Sequence, residues 1–216
     1  MPRHDPDQKT KQNILETAMR LFAEKGMENV NVEDVVKEVG VTRGAFYHYF
    51  KSREELIASV MYKSFECDNP YLLADKQEGL NALEKFRFIA KLSLRSHLDA
   101  SDSMKAQMKK LANNPVIFKN EMIFQVNVMA VYMEKLLIEG NKDGSMNVAF
   151  PRQTSQTLAW VVASWLSPYA FEVSYEEYVD KILFFEHLSA LLGFPIMDEE
   201  MKEIYLAIGI SEFKKE

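Results

Sequence analysis

Apolar positions recur along most of this chain with the spacing of helices. Ile14, Leu15, Ala18, Leu21 and Phe22 form a stripe at the 3.6-residue period and predict a first helix over about 10–25. Gly26 follows as a residue tolerant of left-handed backbone, the usual end signal. Asn31 can cap a short second helix with Val32, Val35, Val36 and Val39 turned inward, and Gly40 ends it. Thr42 can cap a third, which carries Phe46 and runs into Tyr49 and Phe50. Ser52 and Glu55 are spaced as a capping box that opens a fourth, through Leu56, Ile57, Val60 and Met61.

Beyond Pro70 the pattern stays helical with longer elements. Helices are predicted over 79–98, 102–112, 115–139, 151–171, 175–192 and from Asp198 to Gly209. Pro115 and Pro151 sit at first helical positions, Gly140 and Gly193 serve as stops, and Ser174 with Glu177 is a second capping box. No strand pattern is present. The reading is an all-α chain: residues 1–52 as a helix-turn-helix unit, 53–216 as a larger helical domain. Two stretches, 122–133 and 158–166, are apolar on every side. Such helices are buried all round, in a bundle centre, a subunit interface or a cavity wall.

The segment 32–50, VEDVVKEVGVTRGAFYHYF, is the most informative. Two short helices about a tight turn at Gly40 make a helix-turn-helix. With Val35, Val36, Val39, Val41 and Phe46 turned to the core, the second helix shows Arg43, Gly44, Ala45, Tyr47 and His48 to solvent. That face is small or hydrogen-bonding and has no acid, unlike an ordinary solvated face of an acidic protein. It suits close approach to duplex DNA. Arg43, near the helix start, can pair bidentately with guanine in the major groove. Thr42, Tyr47, Tyr49 and Lys51 can reach phosphates, with Lys9 and Lys11 in support. Gly44 and Ala45 let the helix lie deep, and His48 can reach DNA or stay solvated.

Charge sharpens this picture. The chain has 216 residues and a net charge of −6, which by itself does not suggest nucleic acid. Residues 1–65, however, hold 10 Lys+Arg and 10 Asp+Glu, so the acidity lies in the remainder. A few well-placed cations suffice for phosphate contacts. The single cysteine, Cys67, permits no internal disulfide and fits a reducing compartment. The start MPRHD has no apolar leader segment, and no stretch is long enough to span a bilayer, so a cytoplasmic protein without a membrane partner is expected.

Residues 14–26 (ILETAMRLFAEKG), the 32–50 segment and residues 51–56 (KSREEL) together resemble the N-terminal domain of TetR-family transcriptional regulators. The resemblance covers the end of helix one from Ala18 to Gly26 and the run from Gly40 to Leu56. Asn31 stands where Thr or Ser usually caps helix two, and Val35-Val36 where an Ile-Ala pair is common. The resemblance implies a homodimeric, DNA-binding repressor whose C-terminal helices form a ligand pocket and a dimer interface. Helices 152–171 and 175–192 are the expected dimer pair, with Ala159, Ala163 and Ser164 allowing close packing.

The effector then expected is small and largely apolar. His97, Met104, Met108, Phe124, Asn127, Met129, Tyr132 and Trp160 are the candidates to contact it: adaptable methionines, aromatic walls, and polar groups to orient it. A ligand among helices 79–98, 115–139 and 152–171 would shift the helix at 53–67 and unseat the recognition helices. The alternative is a DNA-binding regulator with no small-molecule ligand, controlled by a protein partner. No cofactor is implied. A metal site is not expected, since His4, His48, His97, His187 and Cys67 never fall three or four residues apart. Neither is an enzyme: the chain has no nucleophile elbow, P-loop, dinucleotide fingerprint or HExxH motif.

Overall fold

A computed structural model describes residues 6–214, so His4 lies outside the described part. Its helices are α1 (Pro6–Lys25), α2 (Val32–Val39), α3 (Arg43–Tyr49), α4 (Arg53–Cys67), α5 (Pro70–Asp75), α6 (Ala82–Leu98) and α7 (Asp102–Ala112). There follow α8 (Pro115–Phe124), α9 (Ala130–Asp143), α10 (Pro151–Trp160), α11 (Tyr175–Leu191) and α12 (Glu199–Phe213). No strand occurs among the described residues, so the all-α class holds. No helix there is long and apolar enough to cross a membrane. The chain divides into two units: one holds residues up to Asp68 with Asn114–Glu121, the other Asn69–Asn113 and Met122–Glu216.

In the first unit α1 packs against α2 and α4, and α2 against α3. The anticipated stripe makes the core: Ile14, Ala18, Leu21, Val35, Phe46, Phe50, Leu56 and Ile57 are at most 2% exposed. Asn31 caps α2 through a reciprocal box with Asp34, and Gly40 ends it at φ 77°. Ser52 caps α4 by accepting from the Glu55 amide. The Glu55 carboxylate does not answer to Ser52; it accepts from the backbone N–H of Lys51 at 2.6 Å, one residue earlier. Arg53 then clamps the corner, its guanidinium donating to the carbonyls of Val30 (2.9 Å) and Met27. These contacts, with the burial of Leu56, Ile57 and Val60, tie α4 into this unit.

The second unit is built on α6, α9, α10 and α12, with α11 on α12 and α5 on α6. Lys91 of α6 pairs with Asp198 (2.8 Å) and Glu200 (2.5 Å) at the head of α12. Arg87 adds bonds to the carbonyls of Pro195 and Ile196. Tyr178, Phe194, Leu137, Leu158 and Met201 fill the core.

Several expected boundaries move for packing reasons. Gly140 does not stop its helix: α9 runs to Asp143 and ends at Gly144 with φ 82°. At Gly140 the missing Cβ makes room for Met146, whose Cγ would lie 2.6 Å from it. Gly209 likewise lies inside α12, seated on the ring of Tyr178. The helix begun at Pro151 ends with Trp165, short of the expected Phe171, because Pro168 disfavours helical backbone at the residue before it. Two π-helical turns, Gln125–Met129 and Val161–Trp165, have no precedent in the sequence pattern. The Ser164 hydroxyl donates to the Trp160 carbonyl at 2.6 Å within the second.

Candidate nucleic-acid interface

Helix α3 is placed by its buried side. Phe46 and Phe50 are fully buried, which turns the remaining residues outward. The Thr42 hydroxyl accepts from the Ala45 amide at 3.1 Å and so caps the helix. Thr42, Arg43, Gly44, Tyr47, His48 and Lys51 are exposed, and Ala45 and Tyr49 are half-buried. All eight residues expected to meet DNA therefore lie on or beside one short helix. A Cβ added at Gly44 would meet only Thr42 Oγ1, at 3.8 Å, so the surface there is open.

Two acids complicate the face, and neither belongs to α3. Glu33 of α2 pairs with Arg43, Oε1 to Nη1, at 2.8 Å. The same guanidinium lies 6.0 Å from the Tyr47 ring centre. Hydrogen bonding to Tyr47 and the charge of Glu33 raise the pKa of Arg43 further, so it is a permanent cation. Asp7 of α1 accepts from the Tyr49 hydroxyl at 2.5 Å and lies 3.7 Å from His48 Nε2. Tyr49 is therefore a link to α1 as well as a neighbour of the face. The ammonium of Lys11 stands 5.7 Å from the Phe50 ring centre, which keeps it beside α3. The acids escaped sequence reasoning because only tertiary structure brings them here.

None of the eight candidate effector residues is among the walls of the ≈ 170 Å³ cavity that Tyr169 and Glu212 line. Phe124 is buried, while Met108, Met129 and Tyr132 are half-buried. Tyr132 stacks on Tyr71, ring centres 4.9 Å apart. Met104, Asn127 and Trp160 are exposed, Trp160 to 52%. Val162 in the turn after α10, and Leu183, Phe184 and Leu191 on α11, are exposed as well. Periodicity does not distinguish an outward apolar face from a cavity wall.

His97 has a more distinctive setting. Its Nε2 lies 3.2 Å from the Tyr169 hydroxyl and 3.8 Å from Glu212 Oε1. Burial pushes its pKa down; Glu212 acts against this and Lys105 with it. Burial, then Glu212, pushes the Tyr169 hydroxyl up. Tyr169 and Glu212 line a cavity of ≈ 170 Å³ with Lys109, Asn113, Phe171 and Phe213 among its other walls. Among the described residues no cluster of His, Cys, Asp and Glu could hold a metal ion.

A capped three-helix unit presenting an acid-free helix beyond a tight turn defines a helix-turn-helix protein. Residues 14–60 match the family model of bacterial regulatory proteins, tetR family. The N-terminal domain is therefore similar to the DNA-binding domain of that family. It is 31% identical over 97 residues to the uncharacterized HTH-type transcriptional regulator YuxN of Bacillus subtilis, covering 45% of this chain and 33% of that one. The chain spans a third or less of the length of the first curated relatives it matches. Its fold resembles the R. erythropolis transcriptional repressor QsdR, with a TM-score of 0.64 at 17% identity over 87% of this chain and 96% of that one. It also resembles RolR in complex with resorcinol, with a TM-score of 0.60 at 17% identity over 92% and 94%.

Proposed function

We propose that this chain is a homodimeric transcriptional repressor that reads a palindromic operator with α3 and is released by a small effector. The outward face of α3 carries the first half of this reading. Arg43 supplies a guanine-reading fork, Gly44 and Ala45 allow close approach, and Tyr47, Tyr49 and Lys51 flank it for phosphates. One such helix reads too few base pairs for useful specificity. Two copies about a two-fold axis read successive major grooves about 34–36 Å apart. The exposed apolar side chains of α10 and α11 support pairing through a second copy.

The effector half rests on the second unit, with its cavity and half-buried polar groups, and on a neighbour of similar fold that is seen with resorcinol. By linkage the effector binds the DNA-incompetent state more tightly, and DNA weakens effector binding by the same factor. Selection from random-sequence duplexes with the purified chain tests the reading. A two-fold symmetric consensus with half-sites one helical turn apart, or a multiple of it, is expected. Recovery of no enriched sequence, or of an asymmetric one bound by a monomer, overturns it.

A further inference from the structure

Tyr49 of α3 gives its one hydroxyl proton to an acid on another helix. Asp7 Oδ1, in the first turn of α1, accepts that hydrogen bond at 2.5 Å. His48 Nε2 lies 3.7 Å from the same oxygen. One carboxylate oxygen thus faces the polar atoms of two consecutive residues of the DNA face. An O–H···O⁻ bond this short is among the stronger hydrogen bonds a neutral donor makes. A phosphate oxygen is an anionic acceptor of the same kind, and a hydroxyl can donate only once.

We propose that Asp7 is a built-in competitor of DNA: its carboxylate holds the Tyr49 hydroxyl that a backbone phosphate would otherwise engage, which attenuates binding to every duplex alike. This rests on the reading of α3 as the DNA-binding helix and adds the residue that tempers it. Phosphates repeat along any sequence, so operator and non-specific DNA are weakened equally. Glu33 differs, because its partner Arg43 is the side chain suited to reading bases.

The opposite role, a tether that builds the interface, fits the surroundings less well. Asp7 and His48 are 62% and 67% exposed. Of residues 7–13 only Thr10 is even half-buried, and among the described residues the buried face of α1 begins at Ile14. Helix α3 is seated by Phe46 and Phe50, both fully buried, without help from Asp7. A contact so exposed adds little to stability and opens readily when a better acceptor arrives.

The test is fluorescence anisotropy of the whole chain with two labelled duplexes, one of scrambled sequence and one selected from random sequences. Asp7→Asn keeps the size of the side chain and removes its charge. It should bind both duplexes about three- to tenfold more tightly and leave their ratio unchanged. Its salt dependence should steepen by up to about one in log–log slope, as for a gained phosphate contact. In Tyr49→Phe, which lacks the hydroxyl, the gain from Asp7→Asn should shrink. Weaker or unchanged binding by folded Asp7→Asn overturns the proposal, as does a gain confined to one duplex or one undiminished in Tyr49→Phe. Both positions lie outside the core, and melting curves check that each variant folds. A natural chain that binds neither duplex overturns the DNA reading and this proposal together, whereas binding without a gain overturns this proposal alone.

Discussion

Arg43, the first residue of α3, is held by Glu33 of α2 at 2.8 Å, so the side chain proposed to read bases is oriented by an acid from the neighbouring helix. Both partners are more than half exposed, so the pair adds little to folding stability. Its effect belongs to recognition. Glu33 holds one edge of the guanidinium while bringing a negative charge close to where phosphates would lie.

Removing the charge should therefore change specificity more than stability. Glu33→Gln is expected to strengthen binding to non-specific duplex and to narrow the ratio of specific to non-specific affinity. Arg43→Ala should weaken operator binding on the order of tenfold or more and relax the preference at one base pair. Fluorescence anisotropy with operator and scrambled duplexes at two salt concentrations separates these effects. An unchanged ratio in Glu33→Gln would mean that the contact does not position Arg43 on DNA.

Two glycines with nearly the same backbone angle make a sharp contrast. Gly144 and Gly193 have φ of 82° and 85°, both in the region that favours glycine. A Cβ at Gly144 meets nothing within 4 Å, whereas one at Gly193 would lie 2.0 Å from the backbone oxygen of Asn147. That oxygen cannot swing aside as a side chain would. The Asn147 amide also donates to the Gly193 carbonyl at 2.7 Å, which fixes the two segments together. Gly144→Ala should cost about 1–2 kcal/mol, the strain of left-handed backbone with a Cβ. Gly193→Ala should cost several times more or prevent folding. Urea denaturation compares them, and equal losses would refute the steric account.

Much of this architecture was legible because it is local. The stripes of α1 and α4, the caps at Asn31, Thr42, Ser52 and Ser174, and the turn at Gly40 are decided by residues a few positions apart. What escaped is non-local. Gly140 and Gly209 read as helix stops, yet the space beside each is filled by Met146 and Tyr178 from elsewhere in the chain. The acids on the DNA face arrive from α1 and α2. The outward face of α3 could be read from its sequence because burial of Phe46 and Phe50 fixes it. The effector candidates could not be sorted, since Phe124 in a core and Trp160 on an outer surface carry the same apolar signal.

His97 predicts a pH dependence with a definite sign. Burial, the leading cause, lowers its pKa from the ordinary 6.5, so the folded state favours the neutral ring. The unfolded chain then binds the extra proton at higher pH than the folded one. Stability from this group is complete above pH 6.5 and is lost as pH falls through the lower folded value. His97→Gln, which keeps a polar group near Tyr169, should flatten that part of the stability profile. Urea melts from neutral to mildly acidic pH read the difference between the two chains. A natural chain that gains stability on acidification through this range would contradict the burial argument.

The outer apolar surface of α10 and α11 predicts the assembly state. Leu183 and Phe184 are 52% and 54% exposed, adjacent on one helix, and Trp160 at 52% lies on the other. Large apolar side chains left in water are what a two-fold partner would cover, the same ones on both copies. Leu183→Glu with Phe184→Glu should place four carboxylates at the symmetric interface, where desolvation and like charge oppose association. Both side chains are already exposed, so the monomer should fold with little loss. Sedimentation velocity should show a natural dimer and a monomeric variant. Because one α3 spans only a half-site, the variant should also lose operator affinity steeply while keeping its non-specific binding per chain. A variant that stays dimeric would place the interface elsewhere, and a monomer with full operator affinity would break the link between pairing and recognition.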